Sequence, residues 1–216
     1  MKYSVILIFI TLCASCNNQH KNKPEADTAI VKTDSPEKPI APDTAPAINN
    51  DSALLQLSKN ILGQLRAGQY DQLTQFIHPV FGLRFSPYGH IDTLRDIIFF
   101  DKTFNNLVKQ SKKITWGDYD GSGEPILLNW AGYVKRFVYD KDFLSAPQNA
   151  VNSFISEGNS LNNLQKVYPG YDFTEFYFPG VDPKYGGMDW KTLRLVFKKE
   201  NDRYYLVGVV HDEWTI

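Results

Sequence analysis

The sequence predicts an α+β fold, with N-terminal helices packed on a curved antiparallel sheet, over the C-terminal part of a 216-residue chain. Three observations predict it. Apolar residues recur at helical spacing after Asp51, strand-like runs fill the region after Phe173, and a proline-rich stretch precedes both.

Taken in order, Asp51 or Ser52 is a fitting N-cap for a helix carrying Leu54, Leu55, Leu57, Ile61, Leu62 and Leu65, with Gly68 near its end. A short helix follows from Tyr70 to Ile77 and is stopped by His78-Pro79. Val80 to Phe85 reads as a strand, and Asp101 or Thr103 opens a helix through Phe104, Leu107 and Val108. Ile114–Tyr119 and Glu124–Leu128 flank Asp120-Gly121-Ser122-Gly123 as a hairpin. Trp130 to Val138 is helical, and Phe173–Phe178, Leu193–Lys198 and Tyr204–Val210 are strands, the last two joined at Glu200-Asn201-Asp202-Arg203.

Composition bounds what such a domain does. A formal net charge of −1 argues against a nucleic-acid partner, which calls for a basic surplus. Two cysteines cannot build a disulfide framework. Both sit in Leu12-Cys13-Ala14-Ser15-Cys16, after Lys2 and the apolar run Val5 to Leu12, which is shorter than the roughly 20 residues a membrane span needs. Cys16, with small Ser15 and Ala14 before it, fits a cleavage site; Cys13, behind bulky Leu12, does not. This segment resembles a bacterial lipoprotein signal read by signal peptidase II, departing from it by carrying Cys13 three residues ahead of the cleavage cysteine. The resemblance implies a signal peptide at 1–15, lipidation of Cys16 and a membrane partner through that anchor. Several acyl chains at about 0.8 kcal/mol per buried CH₂ hold a protein firmly. An ordinary secretory signal cut near Ser15 is the alternative. Residues 16–50 are rich in Pro, Ala, Asp and Thr and carry no aromatic side chain, so they read as a disordered tether. A single domain at 51–216 follows. Asn17-Asn18-Gln19-His20-Lys21 lacks an acidic cluster for surface export, which points to the periplasm-facing side of the outer membrane.

No motif names a reaction. Asp118, Asp120 and Ser122 alternate as in a calcium loop, but the twelfth position is Asn129 rather than glutamate, so a turn is favoured and no metal or other cofactor is expected. His78, His90 and His211 lack zinc spacing. His211-Asp212 ends a strand, where it is either pinned by its neighbours or aimed into the mouth of the sheet. Neither cysteine serves as a catalytic thiol, and Ser86, Ser122 and Ser160 lack a nucleophile elbow. Tyr168 to Trp190 is the densest aromatic and glycine region. Its rings Tyr171, Tyr185 and Trp190 suit stacking on a ligand, and suit equally a structural role with Trp190 capping the core.

Gly187-Met188-Asp189-Trp190, Leu193–Phe197, Val210–Ile216 and Trp116–Gly123 together resemble a family of exported bacterial proteins of unknown function, which brings no activity with it. The order of elements is similar to the cone-shaped NTF2-like fold, whose sheet wraps a pocket; by topology alone this licenses no function. The expected role is a non-catalytic binding or scaffolding module of the cell envelope for a glycan, peptide or envelope protein. The alternatives are a small-pocket enzyme, with His211 or Asp189 as general base and Arg84, Tyr88 or Arg194 polarising a substrate, and an inhibitor or immunity-type protein.

Overall fold

A computed structural model of the chain describes residues 50–156, 158–159 and 161–215. These residues belong to one compact unit. The signal peptide, Cys13, Cys16, the tether up to residue 49, and Ser160 lie outside the described residues. No described helix is long and apolar enough to cross a membrane.

The fold is α+β. Twelve elements follow in chain order: α1 (Asn50–Arg66), β1 (Leu83–Ser86), β2 (Ile97–Phe99), α2 (Asp101–Val108), β3 (Ile114–Asp118), β4 (Pro125–Leu128), α3 (Trp130–Phe137), β5 (Gln148–Val151), α4 (Leu164–Val167), β6 (Asp172–Phe178), β7 (Lys191–Glu200) and β8 (Arg203–Glu213). Six strands form an open sheet in the order β2-β1-β8-β7-β6-β5, and β3 and β4 form a separate hairpin. The expected all-antiparallel sheet needs one correction. β1 runs parallel to β8, pairing Arg84 with Gly208 and Phe85 with Val209, because β1 reaches β8 only after the chain has passed through the whole middle of the domain. A tight hairpin would have forced the antiparallel sense.

Local chemistry explains where the elements begin and end. The expected strand from Val80 starts only at Leu83, because His78 Nδ1 accepts from the amides of Val80 and Phe81 at 3.0 and 3.1 Å, and Gly82 N donates to the His78 carbonyl. Those amides are withdrawn from any ladder. Gly82 sits at φ +67°, and a Cβ there would stand 2.8 Å from the Phe99 carbonyl, so only glycine lets β1 leave this turn beside β2. Tyr70–Phe76 winds as a 3₁₀ helix rather than an α-helix. Asn129 caps α3 by accepting from Gly132 N at 2.9 Å. Asn201 and Asp202, both at positive φ, make the two-residue turn between β7 and β8.

Period-two alternation splits the sheet into two faces. Leu193, Leu195, Phe197, Val209 and Phe176 face α1, α2, α3 and the β3–β4 hairpin in the main core. Val196, Val210 and Phe173 join a smaller cluster with Ile91 and Leu164 on the other face. The main core is built of rings: Trp116 stacks on Tyr133 at 3.7 Å, and Phe85 meets Trp130 edge-on at 5.3 Å. Trp116 is fully buried and still satisfied, its Nε1 donating to the Leu128 carbonyl.

Candidate functional site

The two long strands bring ionisable residues to one end of the sheet, where Lys191 pairs with Glu213, Thr192 with Asp212, Leu193 with His211 and Arg194 with Val210. Alternation then sorts them. Lys191, His211 and Glu213 share the face covered by α3, whereas Arg194 and Asp212 share the opposite face.

On the α3 face the chain leaves the helix at Phe137 and lays Asp140 over β8. His211 is fully buried, its Nδ1 3.2 Å from the Pro87 carbonyl and its Nε2 3.3 Å from both Asp140 carboxylate oxygens. Lys191 Nζ lies 3.0 Å from Asp140 Oδ2 and also pairs with Glu213, whose other oxygen accepts from Arg136. Burial pushes the Asp140 carboxyl up, but the His211 ring and the Lys191 ammonium outweigh it and hold it down at about 2. Burial likewise pulls the Lys191 ammonium below its ordinary value. One ligand atom each from Asp140, His211 and Glu213 falls within 4.8 Å of the others, so among the described residues these three form a group able to hold a metal.

Beside this cluster the loop after β6 closes on itself. Asp189 accepts from the amides of Val181 and Asp182, both at 3.2 Å, and Asp182 accepts from Lys184 N. A Cβ on Gly180 would stand 2.2 Å from the Gly187 carbonyl, so the two limbs of the loop approach only because that residue is glycine. The closed loop presents Tyr185 and Met188, each about 45% exposed, beside Trp214 at 38% and above buried Trp190. With Asp189, Lys191 and Glu213 these side chains line a cleft of about 310 Å³. Slight burial pushes the Asp189 carboxyl up, and the loop amides outweigh it and hold it low, which makes it a poor general base at neutral pH.

No family model, curated protein or solved structure matches the chain.

The sequence-derived candidates divide among four places. Tyr185, Trp190 and Asp189 meet in the aromatic cleft, with His211 behind its floor. Arg194 is sealed in the opposite face, 1% exposed, its Nε 3.0 Å from Glu175, one terminal nitrogen 3.1 Å from Asp212 and the other 2.7 Å from Ser156 Oγ. It touches no cleft and cannot polarise a substrate. Arg84 and Tyr171 line a separate groove of about 260 Å³ with Tyr168. Tyr88 lines another cleft, about 550 Å³, together with His90, Asp96, Asp118 and Asp120. There Asp118 pairs with Arg95, Asp120 accepts from Gly121 N, and Ser122 Oγ accepts from Glu124 N, so the oxygens of this hairpin serve the turn and an arginine.

Sequence reasoning missed Asp140, Lys191, Glu213, Trp214 and Asp96. Alternation from His211 puts Glu213 on the same face and was readable. Lys191 was not. Counting back from the turn at Asn201-Asp202 sets Lys191 opposite Asp212, and only the unpaired residue Val207, between the Phe197–Leu206 and Val196–Gly208 pairs, moves it opposite Glu213.

Proposed function

We propose that the chain is a binding module of the bacterial envelope, held at the periplasmic face of the outer membrane by lipidated Cys16, and that its aromatic cleft takes a glycan. The observation that carries this reading is the set of exposed rings at Tyr185 and Trp214 around Trp190, with Lys191, Glu213 and Asp189 supplying hydrogen-bonding groups beneath them. Flat rings stack on the apolar face of a sugar while the charged groups take its hydroxyls.

Tyr185→Ala combined with Trp214→Ala should weaken binding on an oligosaccharide array at least about tenfold, since each ring contributes about 1 kcal/mol or more. Unaltered binding by the folded double variant would refute the cleft, and binding of peptides but no glycan would reassign its ligand. Cys16→Ser should release the chain from the membrane fraction; continued sedimentation with membranes refutes the anchor.

The enzyme reading keeps one supporting observation, and it has moved. Asp189 is held low, whereas Asp96 lines the 550 Å³ cleft beside Tyr88 with a carboxyl raised to about 6, in the range of a general acid.

A further inference from the structure

We propose that His211 Nε2, Asp140 and Glu213 form a site for a divalent transition metal such as zinc, with the Lys191 ammonium as the resident cation that the metal displaces. Lys191 and Glu213 also line the aromatic cleft, so the site shares two side chains with the glycan reading, and zinc binding measured without glycan tests it separately.

The histidine carries the argument. Its Nδ1 faces the Pro87 carbonyl, a group that only accepts, so this nitrogen bears the hydrogen. Its Nε2 is directed at the carboxylate of Asp140, 3.3 Å from each oxygen. Histidines that bind metals show the same arrangement, one nitrogen donating to a carbonyl and the other directed at the ion. The ring is fully buried and packed edge-on against Phe137, which fixes that direction.

The carboxylates supply the second observation. Asp140 Oδ1 is buried with His211 Nε2 3.3 Å away, so a cation placed between them would be shared by both. The ligand atoms within 4.8 Å need side-chain shifts of about 1 Å to reach zinc distances of roughly 2.0–2.2 Å. One nitrogen and two carboxylate oxygens suit zinc and its neighbours in the transition series better than magnesium, which keeps its waters.

Lys191 explains how the site stays closed without metal. Its ammonium bridges Asp140 and Glu213, and with Arg136 it balances the two carboxylates. The Lys191 side chain is 19% exposed and lines the aromatic cleft, so it has a way out. Its departure would open the cluster toward the cleft it lines with Trp190 and Trp214.

Isothermal titration of the full chain carrying Cys16→Ser with zinc chloride, after chelation, tests this. One zinc per chain is expected, with a rise in melting temperature. Lys191→Met, which removes the competing cation, should bind about tenfold tighter or more. His211→Gln should lose the site; if that buried variant does not fold, Glu213→Gln at the cleft floor replaces it, its fold checked by tryptophan fluorescence. A four-coordinate visible spectrum with cobalt should track the same variants. The proposal is overturned by the absence of stoichiometric binding to wild type and Lys191→Met at about 1 mM zinc, by unchanged binding in the folded His211 or Glu213 variant, or by weaker binding in Lys191→Met.

Discussion

Arg194→Met is expected to destabilise the domain by roughly 3–5 kcal/mol, enough to unfold much of it, because it strips the guanidinium that pairs with two buried carboxylates. Arg194, Glu175 and Asp212 are 1%, 0% and 2% exposed. Glu175 is otherwise well served, accepting from Ser156 N, Ser156 Oγ and Thr192 Oγ1, and those bonds hold the 152–156 segment onto the sheet. With the guanidinium gone, these neutral donors remain and the charge does not. The triple variant Arg194→Met, Glu175→Gln, Asp212→Asn should recover most of the loss, since replacing a whole buried ion network costs far less than breaking it. Urea unfolding followed by tryptophan fluorescence reads both. A single variant within about 1 kcal/mol of wild type would show that the network does not hold the segment.

That network marks the boundary of what the sequence made legible. Helical periodicity located α1, α2 and α3, and alternation located β6, β7 and β8, because each buries an apolar stripe or face long enough to show its period. β2 and β5 are edge strands of three and four residues, and Gln148-Asn149-Ala150-Val151 carries no apolar alternation at all. Their place comes from pairing with a neighbour already laid down, which is a tertiary cause. The charged residues divide in the same way. Arg194 is one of three residues the sequence offers for polarising a substrate, and in the structure it serves two carboxylates contributed by neighbouring strands. Asp140 lies in no element and gains its meaning only when α3 packs over β8.

The second large effect expected is a dependence of stability on pH set by Asp96. Its carboxyl is 9% exposed and raised from 3.8 to about 6, first by burial. The Ser86 hydroxyl, the Asp92 amide and the Arg84 charge pull it back, while the Asp92 charge adds to the rise; the buried Tyr133 phenol lies near enough to feel the Asp96 charge. A group whose pKa is higher folded than unfolded contributes stability in full below the unfolded value and loses it as pH rises through the folded one. Between about pH 4 and pH 6 the domain should therefore lose up to roughly 3 kcal/mol from this residue. Asp140 works in the opposite sense and in another window: held at about 2, it contributes above its ordinary value and is lost only as pH falls from about 4 toward 2. Asp96→Asn keeps an oxygen for Ser86 and the Asp92 amide but cannot ionise. Its urea-derived stability, subtracted from that of wild type at pH 4, 5, 6 and 7, should change across the window by a few kcal/mol and then level off. Parallel curves would mean that water entering from the cleft at Tyr88 and Asp118 solvates the carboxylate, so that this cleft holds no acid near neutrality and the enzyme reading loses its remaining support.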